Sequence, residues 1–250
     1  MNGPSDGVEP SGKGPVLFAT THWSVVRAAG QHDSPQAAEA LEKLCRTYWY
    51  PLYAYVRQRG YSPEDAEDLT QGFFARLLGK HAFARVKCEG GKFRSFLLTA
   101  LNHFLVNDWE HHRAQKRDER KVAFSLDALD PETRYKYEPT DEATPETVFD
   151  RQWAAILLEQ VNNRLRDEHA TEGKTDLFLR LQPCLTGAEP MLPYADLAVL
   201  LGLTENAVKM AVHRLRQRYG ELLRAEILQT VASPQEADEE IRHLIAITAH

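Results

Sequence analysis

Apolar residues recur at steps of three and four through most of this chain, and no convincing apolar–polar alternation appears, so the sequence predicts helices throughout. Between residues 34 and 79, Leu41, Leu44, Cys45, Tyr48, Leu52, Tyr55 and Val56 mark one helical face. Pro51 falls inside that run. It lacks a backbone donor and crowds the preceding turn, which predicts a kink or a split. Gly60 predicts the end. The next start is well marked: Ser62 is a good N-cap, Pro63 suits the first helical position, and Glu64 and Asp65 favour the positive helix terminus. Ala66, Leu69, Phe73 and Leu77 form its stripe. Gly90 and Gly91 predict a turn. A third helix is then predicted over 93–116, with Phe93, Phe96, Leu97, Ala100, Leu101, Phe104 and Leu105 on its apolar face.

Residues 118–150 differ in kind. Ten acids stand against four bases, a local charge of −6, with three prolines and little periodicity, so most of this stretch reads as a linker. Helical periodicity resumes near Pro145 and runs through Trp153, Ile156, Leu157, Gln160, Val161 and Leu165. The predicted fold class is all-α: two small helical domains joined by an acidic linker. Residues 1–20 read as a disordered leader, 21–117 as the first domain, 118–145 as the linker, 146–230 as the second domain and 231–250 as a helical tail. The tail is amphipathic through Ala237, Ile241, Leu244 and Ile245, and packing on its own domain is its safest placement.

No window approaches the apolar length of a membrane span, and the start lacks the layout of a signal peptide, so no membrane insertion is expected. Cys45, Cys88 and Cys184 lie far apart with no metal-ligand spacing, which argues against disulfides and structural zinc. These features together predict a cytoplasmic protein.

The strongest local signal is YADLAVLLGLTENAVKMAVHRLRQ, residues 194–217. Ala198, Gly202 and Val208 have the spacing of a helix-turn-helix over 194–219: a small residue where helices cross, a glycine in the turn, and an apolar residue in the second helix. Thr204 can cap that second helix, which buries Val208, Ala211, Leu215, Tyr219 and Leu222. Five bases against two acids give residues 205–224 a local +3. This suits a recognition helix in a major groove. The simpler alternative is a solvated basic face on an ordinary helical hairpin.

Two further segments, YSPEDAEDLTQGFFARLL (61–78) and GKFRSFLLTALNHFLVNDWEHHRAQKR (91–117), carry a resemblance. With the helix-turn-helix following them in order, the chain resembles a bacterial RNA polymerase sigma factor of the sigma-70 family, extracytoplasmic-function type, over about residues 20–226. The resemblance implies that the first domain is region two and the second region four. It implies two partners, core RNA polymerase through its largest-subunit clamp and its flap, and promoter DNA. An anti-sigma factor or other regulator is a further candidate partner. Core-polymerase-binding candidates are Asp65, Asp68, Leu69, Gln71, Phe74 and Arg76. Asp65, Asp68, Gln71 and Arg76 lie off the apolar stripe, and Phe74, if exposed, would anchor such an interface.

Over residues 85–117, seven bases against three acids give a local +4. Cations beside aromatics and amides suit a strand whose bases have left the stack. By resemblance the candidates for the −10 element are Lys92, Arg94, Asn102, His103, Asn107, Trp109, Arg113, Lys116 and Arg117. For the −35 element they are Thr204, Asn206, Lys209, His213, Arg214, Arg216 and Arg218. Many relatives carry an Asp-Glu pair followed by several arginines near the end of the third helix. Here the run from Asn107 to Arg113 is less basic.

An enzyme is not expected. His103, Asp108, His111 and His112 are close in sequence, but His111 and His112 point to different helix faces, and no phosphate loop, HExxH or nucleophile elbow appears. No cofactor, metal or catalytic residue is assigned. The alternative function is a helix-turn-helix regulator that acts on duplex DNA without binding core polymerase. The overall charge of −6 averages over parts with opposite tasks. It predicts a free chain that binds DNA poorly while acidic segments compete for the basic faces.

Overall fold

The computed structural model describes residues 35–78, 91–107, 131–136, 143–186 and 192–248, and among them every regular element is a helix. The order is α1 (Pro35–Gln58), α2 (Pro63–Leu78), α3 (Phe93–Asn107), α4 (Pro131–Lys136), α5 (Pro145–Thr171), α6 (Thr175–Leu181), a 3-10 turn (Gln182–Thr186), α7 (Tyr194–Leu201), α8 (Glu205–Leu228) and α9 (Pro234–Thr248). The all-α expectation holds. The leader (1–20), Cys88 and the end of the third helix beyond Asn107 lie outside the described residues.

Local signals explain most boundaries. Gly60, with φ +90°, follows the end of α1, and the Asp65 amide donates to Ser62 Oγ at 3.1 Å, capping α2 as expected. Thr144 caps α5 by accepting from the Thr147 amide at 3.2 Å, and Pro145 fills the first turn. Pro51 neither ends nor splits α1, which continues for two turns beyond it. Residues 44–56 on both sides of the proline are almost all buried, so tertiary packing holds the helix through the lost hydrogen bond.

The central packing runs between α1 and α5, which lie antiparallel. Tyr55 Oη donates to Glu146 Oε1 at 3.2 Å near one end, and Gln160 Nε2 donates to Thr47 Oγ1 at 2.9 Å near the other. Burial on α5 takes in Val148, Phe149, Trp153, Ala154, Ile156, Leu157, Val161 and Leu165, a wider arc than one neighbour can cover. It therefore packs on α1, α8 and α9 together. As a result, the stretches expected as two separate domains share one hydrophobic core among the described residues. The expected linker also contains α4. There Glu132 accepts from Arg57 Nε at 2.9 Å and from Tyr53 Oη at 2.9 Å, tying the segment to α1.

The tail expectation is half met. In α9, Ala237 and Leu244 are buried, Ile241 is partly so, and Ile245 is exposed. The helix packs on α5 and α8, as expected, but it also reaches α3 through ion pairs.

Candidate nucleic-acid interface

The helix-turn-helix spacing folds as α7, a turn and α8. Gly202 has φ +62°, a left-handed conformation that a Cβ-bearing residue adopts only at a cost. Around it the Leu203 amide donates to the Ala198 carbonyl at 2.9 Å, closing the end of α7 as a Schellman-type cap. Thr204 then accepts from the Ala207 amide at 3.2 Å and starts α8. Ala198 and Val208 are buried at this junction, with Val212 and Leu215 continuing the buried side of α8. Val212 is absent from the sequence-based stripe, although the three-and-four spacing from Val208 would have found it.

At 100° per residue, Asn206, Lys209, Met210, His213 and Gln217 share one outward arc of α8 with Arg214 beside it, and all six are exposed. Lys209 meets Glu205 at 2.7 Å, an exposed pair that a competing anion displaces at little cost. Met210 and Gln217 are absent from the sequence-based set, which leaned on charge and on the cap. Their period alone places them on the arc. Arg216 and Arg218 fall to its flanks and are engaged differently. Arg216 Nε donates to the Cys184 carbonyl at 2.8 Å. Arg218 grips Glu168 of α5 through two bonds of 2.8 and 2.7 Å and meets Glu221 at 3.1 Å. The bonds to Glu168 and Glu221 raise the Arg218 pKa, and the bond from Arg218 lowers that of Glu168. Arg218 thus ties α8 to α5 while its own side chain remains exposed. Val199, Leu200 and Leu203 stand exposed at the end of α7 and in the turn.

The start of α3 also departs from the expectation of a free basic surface. Arg94 is only 8% exposed. Its guanidinium donates to Glu240 through Nε and, at 3.2 Å, through Nη2, while Nη1 meets Asp150 at 2.6 Å. Lys92 Nζ lies 2.9 Å from the second oxygen of Glu240, and His243 Nε2 lies 2.8 Å from Asp150. Burial pushes the Glu240 carboxyl up, but the bonds from Arg94 and Lys92 outweigh it and leave it below the ordinary carboxylate range. For Arg94, burial works against the charge and the two carboxylates more than restore it, leaving its pKa raised. Asn102 is half-buried, and its Oδ1 lies 3.0 Å from Tyr55 Oη and accepts from Arg59. Lys92, Arg94 and Asn102 are thus engaged by other side chains of the same chain. His103 is exposed. The Asn107 side chain and Trp109, Arg113, Lys116 and Arg117 lie outside the described residues.

On α2 the off-stripe residues are where the pattern puts them. Asp65, Asp68 and Gln71 are half-exposed and Arg76 is exposed, with Gln71 Nε2 donating to Glu67 at 3.1 Å. Leu69 and Phe74 are not available to a partner: they are 2% and 1% exposed. Phe74 packs edge-on to Phe73, which in turn meets Phe104 of α3, so the aromatic pair seals α2 onto α3.

Cys45 and Cys184 are free thiols. Among the described residues, no group of three or more His, Cys, Asp or Glu could hold a metal ion, and no helix is long and apolar enough to cross a membrane. Compared with known protein families, curated proteins and solved structures, the chain finds no match in any of the three.

Proposed function

We propose that this chain is a cytoplasmic sigma factor of the extracytoplasmic-function type, which binds core RNA polymerase and directs promoter recognition. The observation that carries the reading is the α7–α8 unit: a left-handed glycine in the turn, a threonine cap, and an exposed arc bearing Asn206, Lys209, His213 and Arg214. An amide, two cations and a histidine on one helical arc can contact both phosphates and base edges of a duplex. The exposed apolar residues Val199, Leu200 and Leu203 beside this unit suit contact with a protein such as the polymerase flap. The half-exposed acids and amide of α2, with Arg76, suit the clamp. The residues that test that second interface are Asp68 and Arg76, since Leu69 and Phe74 serve the core.

The test is co-purification of the full chain with core polymerase, followed by start-site mapping in vitro. Retention on core and new start sites are expected. Duplex binding without any retention on core would instead favour the regulator reading. Within the DNA interface, neutralising Lys209 and Arg214 together (K209Q/R214Q) should flatten the salt dependence of duplex binding by about 1.8 in log K against log salt, at about 0.9 per phosphate contact. An unchanged slope would remove α8 from the interface.

A further inference from the structure

We propose that α9 is an internal competitor for nucleic acid: the Glu240 carboxylate, with Asp150, occupies Lys92 and Arg94 as a phosphate group would, and a single strand must displace α9 to reach α3. This rests on the reading of the chain as a DNA-binding factor and names a regulation of that same surface. It draws on three features of the structure.

The first is chemical. Both oxygens of Glu240 are used, one on Arg94 Nε and the other shared between Arg94 Nη2 and Lys92 Nζ, while Asp150 takes the remaining arm of the fork. The Nε–Nη2 edge closed by the two oxygens of one acid is the arrangement with which arginine also holds phosphate. The second is energetic. Glu240 is 1% exposed, and a buried ion pair is seldom more stable than apolar residues of the same volume. Stability alone therefore does not account for cations at positions 92 and 94, whereas a second, anionic partner does. The third is mechanical. The strap before α9 is firmly held: the Phe93 amide at the start of α3 donates to the Thr230 carbonyl at 2.8 Å, and Thr230 and Val231 are buried. Beyond it, α9 fully buries only Ala237 and Leu244 among its apolar residues. Much of the remaining hold is ionic, through Glu240 and through the pairs Asp238–Arg224 and His243–Asp150. A helix tethered at one end, and held by a short apolar stripe together with these ion pairs, can be lifted by a competing polyanion without unfolding the rest.

The experiment uses the full chain with two fluorescent probes, a mixed-sequence single strand and a mixed-sequence duplex, titrated over a range of salt. E240Q keeps the side-chain shape and one acceptor while removing the competing charge. It should bind the single strand about tenfold more tightly at low salt, with a slope steeper by about 1.4 for two freed cations at about 0.7 each. The gain should vanish in K92Q/R94Q/E240Q. Persistence of the gain in that triple variant would mean general loosening and would overturn the proposal. Should E240Q not fold, the unaltered chain gives the answer by hydrogen exchange. Saturating single strand should speed exchange in residues 234–248 while slowing it at the start of α3, and unchanged protection of α9 would overturn the proposal. Duplex binding separates the two levels. If the chain binds duplex but E240Q gains nothing on the single strand, only the competitor role falls. If no variant binds either probe, the DNA-binding reading falls and takes the competitor with it.

Discussion

Replacing Arg94 with alanine should destabilise the whole chain by about 3–5 kcal/mol, the range for removing one partner of a buried ion pair. Glu240 would then be left almost wholly buried with Lys92 as its remaining cation among the described residues, and Asp150 would keep its contact with His243. The urea midpoint should fall with little change in slope, since the folded state loses a charge rather than its compactness. The control is R94M/E240M, which removes charge from both partners and leaves apolar volume, and it should recover most of the loss. The pH dependence follows from the lowered pKa of Glu240. A carboxyl whose folded pKa is depressed stabilises the fold above its unfolded pKa and loses that contribution as pH falls through the folded value. The gap between the parent and R94A should therefore close on acidification below the carboxylate range, where Glu240 is neutral in both. The ionisable groups around it are Lys92, just before α3, Arg94 from α3, Asp150 from α5, His243 from α9 and Tyr48 from α1. A loss under 1 kcal/mol in R94A at neutral pH would mean that Lys92 and solvent suffice, and that the pair is looser than the geometry shows.

What the sequence disclosed, and what it hid, divides along the range of the interactions. The Ser62 and Thr204 caps, the turn at Gly202 and the stripe of α2 are written within a few residues of one another, so spacing was enough to find them. The partners of Lys92 and Arg94 are not. Glu240 stands 146 residues from Arg94, and no periodicity links a tail acid to a helix start so far away. The same holds for Arg218 and Glu168, 50 residues apart. Local charge counts were correct as sums but misleading as surfaces, because two of the cations counted near α3 are already neutralised by acids counted elsewhere. Phe74 shows the same limit on a helix. Its neighbour Phe73 fits the stripe and Phe74 does not, yet both are buried because α2 is covered on more than one side. The width of the apolar arc on α5 was the one available hint that its helix joins both halves, since a helix buried on one side alone has no use for it.

That arc sets the other large effect. Trp153→Ala should cost about 3–5 kcal/mol, the usual loss for emptying a buried large aromatic site. It should do so in one cooperative transition rather than in one of two. Trp153 is fully buried on α5, which carries the contacts from α1 on one side to α8 and α9 on others, and the Arg94 guanidinium lies 5.5 Å from its ring. A cavity there removes contacts from both halves at once and loosens the seat of the Arg94 fork. Trp153→Phe is the informative companion. It keeps a ring in the site and leaves a smaller cavity, so it should cost far less than alanine. Far-UV ellipticity and near-UV tyrosine signals, followed together in urea, should move with one midpoint in both variants. Two separated midpoints, with only the later half of the chain shifted by W153A, would mean that the shared core is a contact between independently stable units. In that case α9 could leave α3 simply by the two units parting, with no need for a strand to lift it. The unfolding of W153A therefore also decides which kind of opening the ion network resists.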